Sequence, residues 1–467
     1  MRLIVAFILL FFSSYSSAYA PVEILPSGSQ VSLSVTTSSK TLLSINTDKL
    51  FPPASTLKII TALAAKLELG DNFRFETQAQ KKGNDIIFRF SGDPTLTYND
   101  LDKLLNTLHN KGLHKIEGNI WLNKGAFSGY ERAVGWPWDI LGVCYSAPSS
   151  AITLDGNCVQ ASIYTNDDGT TRVHVPKHQP IVVKTNAITV SKEQQKAQQC
   201  ELELTTSSGN EYLLSGCLVK RNKPLPLKFA VQQTDLYVED KLRTLLIKNN
   251  IAFNGQFLLS NDIEGHVIAS HFSAQLSQII EKMLKHSTNL IADNITKTIG
   301  ARFYSQPGSF TNGTEAIKQI IFSNTGVDIN DAQLADGSGL SRNNRISAND
   351  LTQILTYIWH NDQKLNFVNM LATSGETGTL RYRKSMNTPQ IKGQLQAKSG
   401  SIYGSYNMAG FVLNPNKQPK AVFVQFVTDY FPAKNQTTTN AFPAIFQFED
   451  SFYRDLIKLS EHSEYLQ

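Results

Sequence analysis

Residues 52–65 read PPASTLKIITALAA. The run from Ile59 to Ala65 is interrupted only by Thr61, so it reads as a helix buried on all sides rather than a surface one. Ser55 and Lys58 stand at its start, three positions apart, where one helical turn brings their side chains to the same face. Two readings compete. Ser55 is either a helix N-cap with Lys58 in solvent, or a nucleophile whose base is built into the same turn. The second needs the lysine lowered from about 10.4 towards neutrality, which burial or nearby positive charge achieves. The start of a helix also places the Ser55 backbone N–H where it can serve an oxyanion. No other serine in the chain has a lysine three positions on.

A second element bears on the choice. AKSG at 397–400 is the only K-[ST]-G in the sequence, and it lies in a strand-like run that ends in small residues. Lys398 and the Ser399 hydroxyl suit a carboxylate, Gly400 permits close backbone approach, and a strand edge can pair with an extended peptide. Ser401, next along, can donate a second oxyanion N–H beside that of Ser55. A third element, S-x-N, recurs at Ser44, Ser208, Ser287, Ser341, Ser347, Ser385 and Ser405. Ser287-Thr288-Asn289 alone follows a well-formed amphipathic helix, in LKHSTNLIAD, which suits a helix–helix connection facing the K-S-G strand.

Around these motifs the chain divides. MRLIVAFILLFFSSYSSAYA (1–20) has an early arginine, a short apolar run and an A-x-A end, the layout of an export signal, with Ser16-Ser17-Ala18 as an alternative cut. Cys144, Cys158, Cys200 and Cys217 form an even set without metal-ligand spacing, and nearest-neighbour pairing gives two short disulfide loops, each worth about 3 kcal/mol. The net charge of +5 is spread along the chain, without the basic run of a nucleic-acid binder. Residues 21–82 and 264–467 carry the motifs and read as one domain of antiparallel strands and helices. Residues 83–150 and 222–263 read as an inserted α/β domain, in which DKLLNTLHNKGLHKIEGNIWL (102–122) and DKLRTLLIKNNIAFNGQFLL (240–259) repeat a helix–turn–strand unit. Residues 151–221, rich in short alternating runs, read as a nested small β domain.

Serine–lysine, S-x-N and K-[ST]-G in this order resemble the motif set of penicillin-binding proteins and β-lactamases. The sequence is most similar to the low-molecular-mass class C penicillin-binding proteins, the D-Ala-D-Ala carboxypeptidase/endopeptidases. PASTLKIITALAA, RFSGDPTL (89–96), GWPWD (135–139), PLPLKFAVQ (224–232), KHSTNLIADNITKTIG (285–300), ADGSGLSRNN (335–344) and AKSGSIYGSYNMAGF (397–411) carry the likeness over nearly all of the exported chain. The resemblance implies an α/β (α+β) penicillin-binding, β-lactamase-like domain interrupted by insertions. It implies that Ser55 is acylated, that Lys58 is its base, and that Ser287 and Asn289 are the working S-x-N. Lys398, Ser399 and Gly400 would bind the terminal carboxylate, with Arg342 and Tyr403 near the penultimate side chain. The expected substrate is peptidoglycan, the expected covalent inhibitors are β-lactams, the expected compartment is the periplasm, and neither metal nor nucleotide is implied. Tyr403 stands where the family carries glutamine, and Ile140 follows Asp139 where it carries an Asn-Asp pair, so side-chain preference is expected to differ. A β-lactamase is the nearest rival. It would need a deacylating glutamate, and between Asn289 and Lys398 only Glu315 and Glu376 are present, neither in an E-x-x-L-N context. A catalytically dead wall-binding module is the rival from another class, and it would ordinarily have lost the serine or its lysine.

Overall fold

The computed structural model describes residues 19–432 and 443–462; most of the expected export signal, residues 1–18, lies outside them. A six-stranded antiparallel sheet runs in the order Ala372–Thr373, Leu395–Ile402, Ser405–Leu413, Pro419–Thr428, Gln30–Thr36, Thr41–Ile45. Its central strands are apolar on both faces because helices cover both. Ala409, Phe411, Val422 and Val424 pack with the helices Lys58–Glu68, Leu276–His286, Asn289–Tyr304, Phe310–Thr325 and Ala348–His360. Met408, Val412, Ala421 and Phe423 face the other way, against the helix Ala444–His462. Strand residues alternate between faces, so one run, KAVFVQFV, feeds two cores.

The insertion has its own five-stranded sheet, ordered Phe257–Ser260, Ile120–Asn123, Asp85–Arg89, Glu76–Lys82, His266–Phe272. The repeat seen in the sequence appears here as neighbours. Phe257 pairs in parallel with Ile120, and Ala252 with Lys115, so the two units lie side by side in one register. The outer junctions differ from the sequence expectation of 82/83 and 263/264. Glu76–Lys82 and His266–Phe272 pair with each other inside the inserted sheet. The chain therefore crosses at a neck, where the Ser273 N–H donates to the Phe75 carbonyl at 3.0 Å and the Ser273 hydroxyl accepts the Phe75 N–H at 2.9 Å.

The nested β region likewise reaches past 221, because Cys158–Thr165 pairs with Leu225–Ala230. It does not own a separate core: Val159, Ile163, Tyr212 and Leu214 are buried together with Leu101, Leu105, Leu242 and Leu245. The two disulfides join Cys144 to Cys158 and Cys200 to Cys217, the nearest-neighbour pairing. No helix among the described residues is long and apolar enough to cross a membrane.

Candidate active site

Ser55 does not cap a helix. It lies in a 3-10 turn, Ala54–Leu57, whose flanking residue makes no side-chain cap, and the α-helix begins at Lys58. The turn is held in an unusual shape: Ala54 has φ +47°, a region costly for a residue with a Cβ. Its neighbours enforce this. Pro52 O accepts from Asn407 Nδ2 at 2.8 Å, Pro53 O accepts from Thr56 Oγ1 at 2.7 Å, and a Cβ at Gly339 would fall 1.9 Å from Ala54 O. The S-x-N at Ser405–Asn407 therefore serves the backbone before the nucleophile, and Ser347 of another copy caps the helix Ala348–His360.

Lys58 is fully buried, and its ammonium donates to Ser55 Oγ at 2.9 Å, Asn289 Oδ1 at 2.7 Å and the Ser338 carbonyl at 2.6 Å. Burial lowers it to about 8, opposed by the carboxylates of Asp293 and Asp336. Both were missed in the sequence, although Asp293 lies one helical turn beyond Asn289. Asp293 Oδ1 accepts from the Gly337 and Ser338 backbone N–H groups at 3.2 and 3.0 Å, so it holds the loop whose carbonyl holds Lys58. Its own acidity is weakened by burial and by Asp336. Asp336 accepts from Gly339 N at 2.8 Å, Ser341 N at 2.7 Å and Trp136 Nε1 at 2.9 Å, which staples an inserted loop to this floor.

Ser287 ends the helix Leu276–His286 in the left-handed conformation (φ +59°), and Asn289 opens the next. The turn aims Ser287 towards the strand Leu395–Ile402, where its Oγ accepts from Lys398 Nζ at 2.8 Å. Lys398, also buried, is pushed well below the ordinary lysine value by burial and by the charges of Lys58 and Arg383. Ser399 Oγ lies 2.9 Å from Thr379 Oγ1, a partner the sequence did not reveal. Gly400 is where the strand meets the nucleophile turn, since a Cβ there would stand 3.1 Å from the Ser55 and Thr56 backbone nitrogens. Ser401 follows it in the same strand, paired with Tyr406.

Arg342 and Tyr403 do not touch the buried centre. The guanidinium lies 5.5 Å from the Tyr403 ring, which is itself 75% exposed and leans on Phe431. A groove of about 860 Å³ runs from Ser287 and Asn289 past Lys282 into the insertion, lined there by Leu96, Tyr145 and Lys228. Glu315 and Glu376 are exposed, the former on the helix Phe310–Thr325 and the latter in a loop beside Gly393.

Residues 23–450 match the family model described as D-Ala-D-Ala carboxypeptidase 3 (S13). The chain is 36% identical over 416 residues to the D-alanyl-D-alanine carboxypeptidase DacB of Haemophilus influenzae, covering 87% of this chain and 86% of that protein. It is 26% identical over 398 residues to the D-alanyl-D-alanine carboxypeptidase of an Actinomadura strain, covering 78% and 71%. The crystal structure of penicillin-binding protein 4 from H. influenzae superposes with a TM-score of 0.87 at 34% identity, over 94% of this chain and 98% of that one. The same protein complexed with a β-lactam superposes with a TM-score of 0.82 at 32% identity, again over 94% and 98%. A family match across nearly the whole described chain, and a fold shared insertion included, leave one assignment: this protein is a member of the D-Ala-D-Ala carboxypeptidase 3 (S13) family of serine peptidases.

Proposed function

We propose that the protein is a serine D-alanyl-D-alanine carboxypeptidase and endopeptidase acting on peptidoglycan stem peptides in the periplasm. The observation that carries this is the buried Lys58 ammonium on Ser55 Oγ at 2.9 Å, with the Lys398–Gly400 strand passing against the same serine. Ser55 Oγ bonds to the carbonyl carbon of the penultimate D-alanine while its proton passes to Lys58 Nζ. The backbone N–H groups of Ser55 and Ser401 receive the oxyanion. The C–N bond then breaks, and the leaving amine takes a proton handed on by Ser287. Water cleaves the ester and restores the serine hydroxyl.

Lys398 and Ser399 hold the terminal carboxylate of the leaving residue, and that anion gives Lys398 a counter-charge beside the like charges of Lys58 and Arg383. Asn289 has two amide hydrogens, one of them engaged by Tyr145 O, which leaves the other for the substrate. Cross-linked peptides are proposed as substrates because the groove beyond Ser287 has room for more chain than a single D-alanine. β-Lactams enter by the same attack, with the leaving amine tethered to the acyl group. Glu315 and Glu376 are exposed and neither stands in the E-x-x-L-N context of a deacylating glutamate, so the acyl-enzyme is proposed to be long-lived.

Mass spectrometry after penicillin treatment tests the reading: one adduct on Ser55, absent in Ser55→Ala, is expected. An unmodified wild-type protein, or an adduct persisting in Ser55→Ala, overturns it. Rapid turnover of a chromogenic cephalosporin would instead favour a β-lactamase. Digestion of purified sacculi separates end-trimming from cross-link cleavage.

A further inference from the structure

Asn289 is held at both ends. Its Oδ1 accepts from Lys58 Nζ at 2.7 Å, and its Nδ2 donates to the Tyr145 carbonyl at 2.8 Å. An ammonium is donor only, so Oδ1 must face Lys58 and the amide's NH₂ must find an acceptor on the far side. That acceptor belongs to the insertion, 144 residues away in sequence. Without it, an amide pinned at one atom can swing about its side-chain torsions and turn its oxygen from the lysine.

The carbonyl sits in a short 3-10 turn, Cys144–Ser146, in which Ser146 is buried while Tyr145 is 54% exposed. Beyond the Val143–Phe229 bridge just before it, two side-chain attachments fix the turn. Cys144, immediately before Tyr145, is cross-linked to Cys158, the first residue of Cys158–Thr165, the central strand of the three-stranded inserted sheet. Ser146, immediately after, donates its hydroxyl to the Ile140 and Val143 carbonyls. The other disulfide, Cys200–Cys217, has no such connection, because neither cysteine neighbours a residue that touches the catalytic groups.

We propose that the Cys144–Cys158 disulfide is a positioning device for catalysis: through the Tyr145 carbonyl it fixes the Asn289 amide that orients Lys58 on Ser55. The inference rests on the reading of Ser55 as the acylated nucleophile. Lys58 is faced by Asp293 from the helix Asn289–Tyr304, by Asp336 from the loop beneath, and by Lys398 from the strand Leu395–Ile402. Asn289 Oδ1 adds an uncharged acceptor that favours the protonated lysine. Losing that acceptor moves the lysine's titration to lower pH.

The test compares Cys144→Ser/Cys158→Ser with Cys200→Ser/Cys217→Ser and wild type in the full chain. The rate of Ser55 acylation by a fluorescent penicillin is followed from pH 5 to 10, with folding checked by circular dichroism. The first variant is expected to acylate about tenfold more slowly, since small misplacements of catalytic groups have effects of that size. Its acid limb should move to lower pH, whereas the second variant stays within twofold of wild type. A folded first variant with wild-type rate and an unshifted limb overturns the proposal. So does an equal loss in both variants with no shift, because a general loss of folded protein lowers amplitude without moving a titration. If the first variant does not fold, Ser146→Ala, which loosens the same turn and keeps the disulfide, decides. About threefold slower acylation with a shift of the same sign supports the proposal, and a wild-type profile overturns it. Wild-type protein that is not labelled at all refutes the assignment of Ser55 instead.

Discussion

The site contains two serine–lysine pairs that look alike and are electrostatic opposites. Lys58 meets Ser55 within a single turn of chain, and Lys398 meets Ser287 across a helix end and a strand. Both lysines are buried, and both donate to a serine hydroxyl at 2.8–2.9 Å. Their surroundings differ in sign. Asp293 and Asp336 oppose the burial of Lys58 and leave it at about 8, while Lys58 and Arg383 add to the burial of Lys398. The first pair is poised to exchange a proton near neutrality. The second lacks a negative charge, and a substrate carboxylate supplies one. On the proposed mechanism, the same two residue types thus serve as a base in one place and an anion receptor in the other.

The sharpest way to break this distinction is to remove each lysine in turn. Lys58→Met should lower the acylation rate by about 10³-fold, within the range for a lost general base, at every pH tested by stopped-flow with a fluorescent penicillin. Lys398→Met should act on binding instead. KM for a peptide with a free terminal carboxylate should rise about 10- to 100-fold, as for a lost charge-assisted hydrogen bond, while the amidated peptide, poor already, loses little more. Equal losses with both peptides would show that Lys398 is not the carboxylate receptor.

The acidic neighbours offer a finer probe. Wild-type acylation should rise with pH through a midpoint near 8, because Lys58 must give up its proton before it can take one from Ser55. Asp293→Asn keeps a carbonyl oxygen for the Gly337 and Ser338 amides but deletes the charge that holds the proton on Lys58. The midpoint should therefore move to lower pH, by up to about one unit. A midpoint moving upward would reverse the assigned sign. The smallest effect is expected at the rim, where Arg342→Ala removes an exposed cation–π contact worth about 0.5–1 kcal/mol. That should change kcat/KM two- to fivefold, depending on the penultimate side chain, with no change in melting temperature.

Much of this was legible in the sequence, and the limit has a physical cause. The serine–lysine pair is visible because its residues are local, but alone it favours a helix cap, and the single K-[ST]-G and the family strings turn the reading. Among the S-x-N copies, context favours Ser287–Asn289, which follows an amphipathic helix, and the choice rests on the family resemblance. What the sequence hides are contacts made by backbone atoms and by carboxylates buried on arrival. Asp293 and Asp336 look like ordinary surface acids until folding closes over them, and a carbonyl such as that of Ser338 or Tyr145 carries no residue signature at all. The domain junctions were misjudged for a similar reason. Glu76–Lys82 is a strand in either reading, and only its partner decides which sheet it joins.

The order of the six-stranded sheet has a further consequence, for timing. Gln30–Thr36 lies between Thr41–Ile45 and Pro419–Thr428, so an early segment of the chain is completed by one of the last. A polypeptide emerging from its N-terminus can close the insertion first, between Phe75 and Ser273, while the strand that abuts Ser55 is still more than a hundred residues from being delivered. The neighbourhood of Ser55 is therefore incomplete until late in synthesis. Ser55 gains the strand Leu395–Ile402 beside it only when the chain is nearly finished.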